Sequence, residues 1–256
     1  MIKQILLLGL AIIAMACSDN SQKLPFNDAK YFRDMPYGKP HLLKEKRCNS
    51  KETFWKSSPQ KDCFFVSEIT FNQQGRVSQD KQRNLNVKEM DFTLNFQYDE
   101  NNKLTSIVRY KNNEPFTKSV TLQYSKNGLV TQQEFFNQQG KRVTTFTAEY
   151  DNANNQTDLI VYYSGETTDK FQRKTEYQDN KKVSTKEYRN DELVMEKYFE
   201  YNKEGFVSVE KTIKPTKSTL TIKYKYDNKG NWTEKVFFDE QGKPVKITER
   251  EITYYE

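Results

Sequence analysis

An aromatic residue followed by a turn recurs along this chain at a nearly fixed interval: Phe71 (FNQQG), Tyr98 (YDENN), Tyr124 (YSKNG), Tyr150 (YDNAN), Tyr177 (YQDNK), Tyr201 (YNKEG) and Tyr226 (YDNKG). Successive spacings are 27, 26, 26, 27, 24 and 25 residues. A second turn sits midway in most units, after Tyr110, Phe136, Tyr163, Tyr188 and Phe238. Each unit of about 26 residues therefore holds two strands and two turns, the signature of a repeat architecture.

Glycine placement supports this reading. Six of the nine glycines, Gly75, Gly128, Gly140, Gly205, Gly230 and Gly242, fall four residues after such an aromatic, and Asn102 and Asn154 take the same place in two further copies. Hairpin loops built on a type I turn end in a residue at positive φ, which Gly and Asn tolerate best. Asp99, Asp151, Asn202 and Asp227 precede these turns, where their side chains can accept hydrogen bonds from the turn backbone. Only Tyr177 departs, with Lys181 in the turn position and Asn180 one residue early.

Between turns, residues alternate. Leu94, Phe96 and Tyr98 share one face with Thr93, Asn95 and Gln97 on the other, and Leu220, Ile222, Tyr224 and Tyr226 repeat the pattern. Period 2 over about eight residues is a strand signal. Lys and Glu in strands such as 196–201 suit cross-strand ion pairing on a wet face. An all-β antiparallel meander of roughly 14–16 short strands follows. Sheets beyond about ten strands curl or flatten, so an elongated, curved single sheet, up to a half-barrel, is expected. A transmembrane barrel needs an outward apolar band, which Lys- and Glu-bearing strands such as 181–188 do not supply. The repeat reaches towards the N-terminus, because Gly38–Cys48 (GKPHLLKEKRC) aligns without gaps to Gly242–Ile252 (GKPVKITEREI).

The chain opens MIKQILLLGLAIIAMACSDN. The apolar stretch from Ile5 to Ala16 is shorter than the roughly 20 residues that span a bilayer, so it reads as an export signal. Ala14-Met15-Ala16-Cys17 resembles a lipobox, although Leu is usual where Ala14 stands and a small residue where Met15 stands. That resemblance implies lipidation of Cys17; a plain secretory signal cleaved near Ala16 is the alternative. Ser18 after the Cys implies, by likeness to sorted lipoproteins, the outer membrane of a Gram-negative bacterium, on its periplasmic or surface side. The expected organisation is a signal peptide at 1–16, a lipidated Cys and tether at 17–37, and a repeat domain at 38–256. In an oxidising compartment Cys48 and Cys63 are expected to form a disulfide.

With these elements assembled, the chain resembles the YD-repeat (RHS-like) β-meander proteins, above all short exported bacterial lipoproteins that carry such repeats. The likeness covers about Gly38 to Glu256 and is clearest from Tyr201 to Tyr255. It implies architecture alone and assigns no functional residue.

Lys and Arg number 41 against 35 Asp and Glu, a formal net charge of +6. The signs are interspersed, which gives no basic patch for a nucleic acid. His41 is the single histidine, so neither a metal site nor a cofactor is expected. No P-loop, GxSxG, HExxH or EF-hand motif occurs. Glu249/Glu251 and Asp239/Glu240 are carboxylate pairs, but none stands in an apolar stretch that would shift its pKa. Trp55 and Trp232 are candidate binding residues. Trp55 lies between the cysteines in a loop, where binding groups are often carried, whereas packing is the expectation for Trp232. The expected function is non-enzymatic: a sheet that binds protein or glycan, held to the membrane only by lipid. A hydrolase with a carboxylate site on a concave face, or an immunity-like partner of a secreted effector, are the alternatives.

Overall fold

The computed structural model describes residues 36, 38–50, 62–87, 91–164 and 168–256. Cys17, the signal, Trp55 and all of the tether except Pro36 lie outside them. The described residues form sixteen strands in an unbroken meander. The first eight are β1 (Pro40–Asn49), β2 (Asp62–Phe71), β3 (Val77–Asn84), β4 (Phe92–Tyr98), β5 (Leu104–Lys111), β6 (Glu114–Tyr124), β7 (Val130–Asn137) and β8 (Arg142–Tyr150). The second eight are β9 (Gln156–Ser164), β10 (Thr168–Gln178), β11 (Lys181–Arg189), β12 (Glu192–Tyr201), β13 (Val207–Lys214), β14 (Ser218–Tyr226), β15 (Trp232–Phe238) and β16 (Pro244–Tyr254).

The sheet closes. β1 pairs antiparallel with β16 as well as with β2, so the sixteen strands form a barrel and not the open or half-closed sheet that the repeat pattern suggests. Closure removes two edges of unpaired backbone groups that a strip this long would expose. The two segments that align in sequence are the two that meet at the seam. Because they run antiparallel, Glu45 faces Arg250 and Lys46 faces Glu249.

Local chemistry explains each hairpin. In the Asp227 turn, the Asp227 N–H donates to Asn231 O at 2.8 Å and the Gly230 N–H donates to Asp227 O at 3.2 Å. Asp227 Oδ1 accepts from the N–H groups of Lys229 and Asn231 at 2.9 and 2.8 Å. Gly230 sits at φ 79°, and Asn102 and Asn154 take the same left-handed backbone at 59° and 67°. The shorter turns use two left-handed residues in succession, Asn112-Asn113, Asp179-Asn180 and Asn190-Asp191, the geometry of tight type I′ hairpins. This resolves the irregular Tyr177 copy, where Asp179 and Asn180 do the turning.

A feature invisible in the pattern links successive units. Tyr98, Tyr124, Tyr150 and Tyr201 each donate their hydroxyl to a backbone carbonyl of the preceding unit: Val77, Leu104, Val130 and Lys182, at 2.7–2.9 Å. Each acceptor is the residue that pairs with the previous unit's aromatic. Burial pushes the Tyr150 phenol up to about 12. Tyr255 carries the series across the seam, donating to Phe71 O at 2.6 Å.

Cys48 and Cys63 are disulfide-bonded across β1 and β2, with an S–S distance of 2.06 Å. Replacing both by Ala is expected to lower the unfolding free energy by about 3 kcal/mol, from loop-closure entropy alone. Urea denaturation of the two proteins tests it. Equal midpoints would show that the seam, not the bridge, restrains this corner.

Register fixes which residues face inward. Leu43, Glu45 and Arg47 share a face with Ser67, Ile69 and Phe71, and burial marks that face as the interior. At the tyrosine end it carries an apolar cluster that includes Leu43, Ile69, Phe71, Phe96, Ile107 and Phe146. The outer wall is charged. Glu251, Lys44, Glu68 and Lys81 face one another in turn across β16, β1, β2 and β3. Lys186–Glu196 and Lys225–Glu234 are outward cross-strand pairs at 3.6 and 2.8 Å. At these positions charge stands where a lipid-facing wall would carry apolar side chains. No helix among the described residues is long and apolar enough to cross a membrane, which says nothing about strands.

Candidate functional site

Away from the tyrosine end, the inner face changes from apolar to charged. On β1 the change takes two residues, from Leu43 to Glu45 and Arg47; on β16 it runs from Ile252 to Arg250, Thr248 and Lys246. These side chains are in phase with the apolar ones, so alternation carries them into the barrel.

The most enclosed group is Glu45. Its side chain is 9% exposed and that of Arg250 6%; Arg250 Nε donates to Glu45 Oε2 at 2.9 Å. Arg47 approaches the other oxygen, with Nε and Nη2 each 2.8 Å from Glu45 Oε1. Burial opposes ionisation of Glu45, but the guanidiniums of Arg250 and Arg47 outweigh it and hold the carboxyl below its usual range. Asp80, with 0% exposure, lies two strands away. Ser67 Oγ donates to Asp80 Oδ1 at 2.7 Å, and Gln82 Nε2 donates to Asp80 Oδ2. There burial prevails and the carboxyl is pushed up, with the Glu45 charge adding to the effect.

Beyond the seam the interior becomes cationic. Lys235 on β15 and Arg47 on β1 both face Thr248 of β16, one from each side, and Lys246 lies two residues along the same inner face. Aromatic rings support these cations. Arg47 lies over Phe65 at 4.7 Å, Lys246 over Phe237 at 5.2 Å, and Lys235 and Arg250 over Trp232 at 4.3 and 3.6 Å. Burial depresses the Lys246 ammonium, and the like charges of Arg47 and Lys235 depress it further; Glu210 and Glu45 act the other way. Further round the wall the charges pair: Arg173 with Glu187 at 2.8 Å, Arg189 with Asp169 at 3.0 Å, and Lys197 with Glu210 at 2.7 Å.

The residues singled out in the sequence fall elsewhere, with one exception. Trp232 is 2% exposed, set edge-on to Tyr224 at 6.2 Å between ring centroids, so it packs inside the barrel beside the cations. Its indole Nε1–H is buried without a hydrogen-bond partner among the described residues. His41 packs its ring against Tyr255 at 4.8 Å. Glu249 and Glu251 face outward, where Glu249 meets Lys46. Asp239 accepts from the N–H groups of Gln241 and Lys243 in its own turn, and Glu240 accepts from Thr219 N at 2.9 Å. Neither pair is gathered on a concave face. The buried carboxylates are instead Glu45 and Asp80, which sequence reasoning missed; phase with Leu43 was the available signal for Glu45, whereas Asp80 stands three residues after Val77, beyond a register shift that simple alternation does not reveal. No group of three or more His, Cys, Asp or Glu that could hold a metal occurs among the described residues. An open groove of about 450 Å³ is lined by Lys81, Gln82, Arg83, Asp91, Phe92 and Tyr110, and it adjoins the buried network through Gln82, the donor to Asp80.

In fold, the chain is similar to a porin-like protein. That structure, from Bacteroides uniformis, aligns with a TM-score of 0.58 at 11% identity, covering 85% of this chain and 99% of the other. At that identity the likeness is one of fold. The Photorhabdus luminescens Tc holotoxin pore aligns at 0.28 and 11% identity, over 74% of this chain and 12% of that one. The TcdB2–TccC3 structure aligns at 0.30 and 10% identity, over 81% and 15%. Both overlaps are too slight to argue from. No family model and no curated protein matches the sequence.

Proposed function

We propose that this chain is an exported, YD-repeat-like lipoprotein whose barrel acts without catalysis as a binding or structural surface for protein or glycan in the cell envelope. The observation that carries the reading is the outer wall. Its Lys and Glu pairs across β16, β1, β2 and β3 are poorly matched to lipid, which supports an attachment through Cys17. Apolar side chains stand among the charges, with Val120 41%, Leu122 46% and Tyr198 41% exposed, the mixed chemistry of a wet protein interface.

Two measurements test it. Affinity capture with the chain from Ser18 onward is expected to retain a protein or glycan from envelope extracts. Recovery of neither, together with turnover of a substrate, would replace the proposal by an enzymatic one. Cys17→Ala is expected to release the protein from the membrane fraction; unchanged fractionation would remove the lipid anchor.

A further inference from the structure

We propose that the outer-wall groove over β3, β4 and β5 is a binding site for an uncharged oligosaccharide, seated on the Tyr110 ring and held by Lys81 and the Asn112–Asn113 turn. The site rests on the reading of the outer wall as a binding surface and gives that surface a ligand. Register builds the depression. Lys81, Thr93 and Tyr110 face one another in turn across the three strands, so a small side chain stands between two long ones. The row continues to Glu68 on β2, and β5 leads directly into Asn112 and Asn113. These residues line a concavity of about 450 Å³, within the range of roughly 300–1,000 Å³ typical of small-ligand sites.

The polar groups of this groove are uncommitted. The Tyr110 hydroxyl, the Lys81 ammonium and the amides of Asn112 and Asn113 have no side-chain hydrogen bond or ion pair among the described residues. Tyr98, Tyr124, Tyr150 and Tyr201, by contrast, all direct their hydroxyls to backbone carbonyls. The half-buried Tyr110 ring is also without a ring or cation partner among the described residues. Phe92, in the same groove, already carries the Arg109 guanidinium over its ring at 3.5 Å. Asn112 and Asn113 are fixed in left-handed backbone at φ 51° and 66°, so their amides need little ordering on binding.

Charge and topology decide the class of ligand. The lining holds two carboxylates, Glu68 and Asp91, and two cations, Lys81 and Arg83. Glu68 meets Arg83 at 3.5 Å, and Asp91 Oδ1 accepts the Asn84 N–H at 3.0 Å. The balance favours neither an anion nor a cation. Amides, phenol and ammonium set donors and acceptors side by side, which suits adjacent sugar hydroxyls, and an open aromatic face suits the apolar C–H face of a sugar ring. A peptide adding as a strand would need an exposed sheet edge, whereas β3, β4 and β5 each have a paired neighbour on both sides.

Titration calorimetry of the purified full-length protein tests the proposal, with cellohexaose, maltohexaose, xylohexaose and mannohexaose as uncharged probes. Hexagalacturonate and an end-blocked glycine-serine hexapeptide are the acidic and peptide arms. At least one uncharged hexasaccharide is expected to bind saturably, with a Kd that changes less than about twofold between low and high salt, because the ligand carries no charge to screen. Tyr110→Ala should weaken it about tenfold or more, through loss of the ring face. Asn112→Gly with Asn113→Gly keeps the left-handed turn and removes both amides, and should weaken it by about tenfold. Tyr162→Ala, at an exposed tyrosine elsewhere on the outer wall, should leave it unchanged. Should Tyr110→Ala misfold, backbone-amide NMR of the wild-type protein gives an independent reading: the bound sugar is expected to shift Thr93, Tyr110, Asn112 and Asn113, and not Tyr162. No saturable binding of any of the four sugars, stronger binding of hexagalacturonate or the peptide, equal binding by folded Tyr110→Ala, or shifts centred elsewhere would each overturn the site. If capture recovers a protein while no sugar binds, the surface reading stands and this site falls. Substrate turnover with an empty capture removes the surface reading, whatever the sugar titrations give.

Discussion

Glu45→Ala is expected to lower the unfolding free energy by about 3–5 kcal/mol, the range for removing one partner of a buried ion pair. The loss arises less from the missing contact than from what remains: Arg250, 6% exposed, would keep its charge inside the barrel without its carboxylate. Glu45→Met with Arg250→Met should recover much of the loss, because an apolar pair of similar volume removes both charges. Chemical denaturation midpoints of the single and double variants decide it. A double variant no better than Glu45→Ala would mean that the seam depends on the pair itself. The pH dependence has a definite sign. The folded Glu45 carboxyl titrates below its ordinary value near 4.5, so between the two pKa values the unfolded chain binds more protons. This contribution is complete above the unfolded pKa and is lost as pH falls through the folded one. Asp80 acts oppositely, since its raised pKa makes the folded protein bind more protons, and stability falls as pH rises through that window. In Glu45→Ala the acid-side loss should shrink while the Asp80 contribution persists.

Trp232→Ala is expected to cost about 3–5 kcal/mol, the range for truncating a large buried aromatic. The indole packs against Tyr224 and carries Lys235 and Arg250 on its ring, so its removal opens a cavity and unseats two cations. Trp232→Phe keeps an aromatic face and should lose distinctly less. The comparison separates packing from ligand contact. If the Ala variant unfolds at the wild-type urea midpoint, Trp232 is not a core residue and the packing account fails.

How much of this was legible in the sequence depends on range. Gly75, Gly230 and Asp227 act within five residues of themselves, so the hairpins could be read directly. The Cys48–Cys63 bridge spans one loop and could be read too. Barrel closure could not, because nothing within β1 or β16 states that a partner lies some 205 residues away in sequence. The seam pairing joins β1 to β16 through long-range matches of charge, Lys44 with Glu251, Glu45 with Arg250 and Lys46 with Glu249. The interior charges were hidden for a different reason. Lys246 on the inner wall and Lys44 on the outer wall are the same residue type in similar alternating strands. Only phase with Ile252 and Leu43 separates them, and that phase has meaning once the sheet has an inside. Trp55, singled out for its loop, lies outside the described residues.

The tyrosine clasps have a consequence for the order in which the chain can assemble. The hydroxyls of Tyr98, Tyr124, Tyr150 and Tyr201 reach back to the preceding unit, so the strand pairs they belong to can be secured on material already made. β1 is the exception. One of its edges is covered early by β2, but the other waits for β16, and the clasp from Tyr255 to Phe71 joins residues 184 apart. Such long-range pairing is slow, and an open edge meanwhile invites the wrong strand. The barrel therefore grows in small secured steps and closes in one late event. A lesion in β16 would leave a well-formed but open sheet, exposed along β1.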